Sequence, residues 1–229
     1  MQDQVNYLAP VAEDSVENRS EFIWKTYAHV VGAILAFAGV SVYFFQSGIS
    51  ERIAMPMLNN WLMVLGAFML VGWGASHVAH RVQSVPMQYA ALAFFVVAEA
   101  LIFAPLLYIA YLMEPTIIES AAGVTIMGCV GLIAVAMITR KDFSFLRGLL
   151  VWGGILALVA IVSAIIFGFQ LGTWFMVAMI AFAGAAVLYD TSNILHHYPK
   201  NLYVAASLEL FASIALMFWY VLQLFMSRD

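Results

Sequence analysis

The sequence predicts an all-α polytopic membrane protein of seven transmembrane helices, and three observations carry that reading. Hydrophobic residues make up 65% of the 229 and charged residues only 10%, against roughly a quarter charged in a soluble domain. Mean hydropathy is +0.96, so there is too little polar surface to clothe a globule in water. The apolar residues also gather into seven stretches, each near the roughly 20 residues that cross a bilayer. The net charge of −4 offers no basic face for phosphates and excludes a nucleic-acid binder.

The stretches fall near 26–46, 61–80, 87–112, 121–139, 147–169, 173–196 and 203–226. Ahead of them, residues 1–21 carry Asp3, Glu13, Asp14, Glu17 and Glu21 against the single base Arg19. They read as an acidic, flexible cytoplasmic tail, with 22–229 as the transmembrane domain. A secretory signal would start basic, so the first span itself is expected to direct insertion. The connections SGISERIAMPMLNN, RVQSVP, MEPTIIES, RKDFSF, QLGT and HYPKN hold the chain breakers and most of the charge. Glycines inside the spans, among them Gly72, Gly128, Gly153 and Gly184, signal close helix approach. The one cysteine, Cys129, lies in an apolar stretch and reads as core; no internal disulfide can form.

Basic residues orient the chain. The tail and the second-to-third, fourth-to-fifth and sixth-to-seventh connections hold Arg19, Lys25, Arg81, Arg140, Lys141, Arg147 and Lys200. The opposite side holds Arg52 and Arg228. This positive-inside asymmetry predicts a cytoplasmic N-terminus and, with an odd number of spans, an outer C-terminus.

Three acids interrupt the apolar stretches: Glu99 in the third, Asp190 in the sixth and Glu209 in the seventh. A charge at the bilayer centre costs about 2.5–3.5 kcal/mol on insertion scales, which makes such a residue functional by default. Each must be protonated, pair with a polar group, or face water and a cation. At 1.5 Å per residue, Asp190 and Glu209 lie at a similar depth, about 9 Å from the inner end, and Glu99 about 18 Å in. Two carboxyls at one level and a third further out suggest an ion path, with Glu209 alternatively a hydrogen-bonded core acid. Pro105, six residues after Glu99, removes a helical hydrogen bond. The kink exposes carbonyl oxygens to an ion or serves packing alone.

All five histidines lie toward the expected cytoplasmic side. His77 and His80, three apart on one helix face, are candidate proton sensors; His29, His196 and His197 read as interfacial. His77, His80, Asp190 and a histidine of the 196–197 pair also admit a weaker reading, an intramembrane zinc hydrolase. It would need three ligands and an open position, and no nucleophile motif accompanies them. No enzymatic activity and no catalytic residue are expected.

RKDFSFLRG at 140–148 and LYDTSNILHHY at 188–198 resemble signature segments of the Bax inhibitor-1 family, the transmembrane Bax inhibitor motif proteins. FIWKTYAHVVGAILAF at 22–37, EALIFAPLL in the third span and the closing SRD fit as well. The resemblance runs from about residue 22 to the end and is closest to bacterial-type members. It implies two three-helix layers around a central C-terminal helix, and a passive, pH-sensitive calcium leak. In the family an aspartate of the YDT segment pairs with an aspartate of the last helix, and the pair senses protons. Asp190 matches the first. Ungapped alignment of ASLELFASI puts Phe211 at the second, and Glu209 lies about 200° around the helix from it.

The resemblance and the three acids together give a pH-sensitive calcium leak channel, with Ca²⁺ as cargo meeting Asp190 and Glu99 transiently and no resident cofactor or fixed metal. Oxygen ligands suit that ion. The competing function is a regulatory membrane protein that restrains a membrane-bound protease or another membrane complex, as some bacterial members are associated with doing. Short loops point to a bacterial inner membrane, and the expected partners are the lipid bilayer, cations and that protease complex.

Overall fold

The computed structural model describes residues 10–81 and 84–227, with eight α-helices among them. These are α1 (Val16–Gln46), α2 (Ile49–Asn59), α3 (Trp61–Arg81), α4 (Val85–Met113), α5 (Thr116–Thr139), α6 (Leu146–Phe167), α7 (Thr173–His196) and α8 (Tyr203–Met226). All except α2 are long and apolar enough to cross a membrane, which gives the seven expected spans. The boundaries of the last two match the sequence reading residue for residue.

Two departures have clear causes. Helix α1 begins at Val16, ten residues before the apolar run, because hydropathy marks the bilayer edge and not the helix end. Ser15 caps it by accepting from the Asn18 N–H, and Glu21 pairs with Lys25 at 2.6 Å one turn apart. Only residues 1–9 of the expected tail, Asp3 included, lie outside the described residues. The second departure is α2, a helix where a loop of breakers was expected. Gly48 turns the chain into it at φ +73, a conformation glycine adopts without steric cost. Ser50 and Ala54, four residues apart, are its buried face.

The last helix is the centre of the bundle. Within α8, 72% of the apolar window is buried, against none of the α6 window. It packs on α7, α1, α5, α4 and α3 in turn. Small side chains let neighbours approach it from several directions: Ala205, Ala206, Ser207 and Ala215 are all buried. On one side α4 lies between α1 and α3; on the other α7 lies between α5 and α6. Helix α6 rests chiefly on α7 and turns Trp152, Leu156 and Phe167 outward. That is stable in lipid, where an outward apolar side chain loses nothing.

One end of the bundle gathers Lys141, Lys200 and the loops that join α5 to α6 and α7 to α8. Here Val11, buried to 1% exposure, donates its N–H to the Tyr198 carbonyl at 2.8 Å. The segment ahead of α1 is thereby fastened across the α7–α8 connection. Asp142 performs a similar service for RKDFSF. Its Oδ1 accepts from the Ser144 N–H at 2.8 Å, its Oδ2 accepts from His197 at 3.1 Å, and Ser192 Oγ accepts from the Phe143 N–H. The two signature segments are thus joined to each other.

Candidate functional site

The three intramembrane acids come from three helices, α4, α7 and α8, and line one cavity of about 850 Å³. Helices α3 and α6 flank it, and its lining follows α8 from Glu209 to Gln223, a rise of about 21 Å. The α8 residues that line it are Glu209, Ala212, Ser213, Ala215, Leu216, Trp219, Tyr220 and Gln223, which recur at the three- and four-residue spacing of one helix face. Among the described residues lining it there is no Lys, Arg or His.

Asp190 and Glu209 are each held by a serine. Ser213 Oγ donates to Asp190 Oδ2 at 2.5 Å, joining α8 to α7. Ser76 Oγ donates to Glu209 Oε1 at 2.5 Å, joining α3 to α8. Hydrogen bonds to a carboxylate are shorter and stronger than neutral ones, so both acids act as cross-links as well as cavity walls. Glu99 differs. It is 5% exposed, lines the cavity, and has no hydrogen-bond or ion-pair partner among the described residues.

The histidines separate on inspection. His80 Nδ1 lies 2.9 Å from the Ser76 carbonyl and 3.7 Å from Glu209 Oε1, while Nε2 lies 3.1 Å from the Tyr198 hydroxyl. A carbonyl only accepts, so Nδ1 carries a proton and, in the neutral ring, Nε2 accepts from Tyr198. Tyr198 lies in the α7–α8 connection, and burial first, then the charges of Glu209 and Asp190, holds its phenol well above its ordinary range. It therefore keeps its proton. His77, expected to share the sensor role, faces outward against the Trp73 ring at 5.3 Å and does not approach the acids. The i, i+3 spacing allows about 60° of rotation between the two rings, enough to turn one inward and the other out.

Packing also decides two of the alternatives left open by the sequence. Phe211, where the resemblance put the family's second aspartate, does not face Asp190; its ring packs edge-on against Phe37 and Phe95. Ser213 occupies the position opposite Asp190. The zinc set also stays apart: His196 bonds to the Ser192 carbonyl and His197 to Asp142. Among the described residues no three His, Cys, Asp or Glu stand close enough to hold a metal ion.

Residues 19–229 match the family described as Inhibitor of apoptosis-promoting Bax1. The chain belongs to this family. Among its relatives, Bax inhibitor 1 of Schizosaccharomyces pombe is 28% identical, covering 97% of this chain and 82% of its own. An uncharacterized protein of Pseudomonas aeruginosa is 29% identical over 83% of this chain and 82% of its own length. The modulator of FtsH protease YccA of Escherichia coli is 34% identical over 42% of this chain and 45% of its own. Within a Bax inhibitor family protein, sequence reasoning missed Ser76 and Ser213. Their one signal is spacing, since Ser76 precedes His80 by one turn and Ser213 follows Glu209 by one turn.

Proposed function

We propose that this Bax inhibitor family protein passes cations across the membrane through the acid-lined cavity, in a pH-sensitive manner, with calcium as the physiological ion. The observation that carries this is the convergence of Glu99, Asp190 and Glu209 on one cavity free of basic lining residues. A rise of about 21 Å along α8 covers most of a hydrocarbon core roughly 30 Å thick. Toward the basic end, Ser76, His80 and Tyr198 stand between the acids and the loops. Opening there requires Glu209 to release Ser76, whose hydroxyl ties α3 to α8. Calcium flux into proteoliposomes from pH 5 to 8 tests the proposal. Glu99→Gln is nearly isosteric and should cut flux severalfold while the protein stays folded. No flux above empty vesicles at any pH would overturn it.

A second reading rests on the likeness to the FtsH modulator: regulation of a membrane protease through the acidic N-terminal segment. Because Val11 is buried against the bundle, the informative truncation removes residues 2–9 and leaves that anchor in place. Loss of protease regulation with unchanged flux supports this reading, and unchanged regulation counts against it.

A further inference from the structure

The cavity is amphipathic along its length. Asp190 and Glu209 stand at one end, Glu99 lies further along, and beyond it the walls are mainly aromatic and aliphatic, with Gln223 the last polar side chain on α8. Trp61 and Trp219 stack at 5.6 Å, and Phe103 meets Trp219 edge-on at 4.9 Å; all three line the cavity. Ten residues of α8 separate Glu209 from Trp219, about 15 Å of rise.

These features suit a retained ligand better than a bare ion. A hard cation such as calcium takes six to eight oxygens at about 2.3–2.6 Å when it is held; a cavity of about 850 Å³ walled mainly by carbon lets such an ion pass with its own water but does not supply the shell that would retain it. Its volume is in the range of small-molecule sites, roughly 300–1,000 Å³, which combine apolar walls with a few placed polar groups. Asp190 and Glu209 already accept from serines. The Glu99 carboxyl does not, although it is buried to 5% exposure and faces the space. An ammonium N–H would satisfy it with a charge-assisted hydrogen bond. An apolar chain then extends along Phe103 toward the tryptophan pair, where removal from water favours it.

We propose that the cavity between α3, α4, α6 and α8 is a binding site for an amphipathic organic ammonium, its nitrogen on Glu99 and its apolar tail on the Trp61–Trp219 pair. The site shares its walls with the proposed cation path but does not depend on flux: binding without flux, or flux without binding, separates the two proposals.

The test titrates n-octylammonium into the full chain in phosphatidylcholine nanodiscs by calorimetry, with empty nanodiscs as reference. Octanol, octyl sulfate and tetramethylammonium are the comparison ligands. The expected result is saturable one-to-one binding of octylammonium, at least tenfold tighter than any of the three. Glu99→Gln should weaken it at least tenfold, and Glu99→Asp less. Saturable octanol binding of equal strength would make the cavity an apolar pocket and overturn the proposal. Equal binding of tetramethylammonium would make it a plain cation site, and equal binding of octyl sulfate would deny any role to the acids; either overturns it. So would octylammonium heats no greater than those of empty nanodiscs, or a folded Glu99→Gln protein with unchanged affinity. The ligand comparison on the unmodified chain decides the matter even if the variant fails to fold.

Discussion

Ser213 Oγ lies 2.5 Å from Asp190 Oδ2, and this contact sets how α7 and α8 meet inside the bilayer. Two residues earlier, Phe211 points into a cluster with Phe37 and Phe95. The α8 face that meets the YDT segment therefore passes through Glu209 and Ser213, one turn apart, and not through Phe211. Asp190 meets a neutral donor on α8, the Ser213 hydroxyl.

Ser76→Ala removes the donor that holds Glu209. Hydrogen bonds to charged groups contribute about 1.5–3 kcal/mol, and this one is half-buried, so a loss near the lower figure is expected. The prediction for function is the opposite in sign: flux rises, because Glu209 no longer ties α3 to α8. Thermal unfolding and proteoliposome flux on the same preparation check both halves. Lower stability with unaltered flux would confine the contact to a packing role.

Asp142 gives a pH prediction outside the membrane. The Ser144 N–H foremost, and then His197, hold its carboxyl down at about 2. A depressed folded pKa contributes stability that is complete above the unfolded value of about 3.9 and fades as pH falls through the folded one. Asp142→Ala should therefore melt below the unmodified protein at pH 5 to 7, by an equal margin throughout, and the margin should narrow from about pH 4 downward. The group is exposed, so solvent screening keeps the effect to a few degrees. A margin that persists unchanged to pH 2.5 would assign the effect to lost packing and not to charge.

Much of this was legible in the sequence, and the parts that were not share a cause. Hydropathy located all seven spans, because an apolar run of bilayer length has few other uses. It could not place the start of α1, where Glu17, Arg19 and Glu21 continue the helix outside the apolar run. The acids stood out because a lone carboxyl in such a run is costly. Ser76 and Ser213 did not, since a serine in a membrane helix is ordinary until its partner across the bundle is known. His77 and His80 look equivalent by spacing, and only the packing of α3 turns His80 toward Glu209 and Tyr198 while His77 faces Trp73.

At Gly153 helix α6 lies directly against the Phe182 ring of α7. A β-carbon there would stand 2.9 Å from the Phe182 ring, well inside van der Waals contact. Gly153→Ala should cost about 1–3 kcal/mol as an overpacked contact and tilt α6 away from its main support. Phe182→Leu shortens the obstructing ring, so the double variant should recover part of the loss. Melting curves of the two single variants and the double variant form the cycle. Additive losses would show that the ring is not what the new methyl meets.

The final prediction separates the geometry of α8 from its alignment. Ser213→Asp places a carboxyl against Asp190 on the cavity face, where the new group meets open volume. The two acids then titrate in coupled steps that belong to the pair, so the variant should fold and its flux should acquire a steeper dependence on pH between 5 and 8. Phe211→Asp, the change that the ungapped alignment recommends, instead puts an unpaired carboxyl among Phe37, Phe95 and their neighbours. An uncompensated acid in that cluster costs more than about 4 kcal/mol, and the variant should be poorly folded at every pH. Tryptophan fluorescence melts establish folding, and flux across the pH series then reads the function of whichever variant survives. A folded Phe211→Asp protein with the steeper pH profile, beside a Ser213→Asp protein that behaves like the unmodified chain, would mean that α8 is rotated by roughly half a turn from the register described. In that case Phe211 and not Ser213 would be the residue facing Asp190.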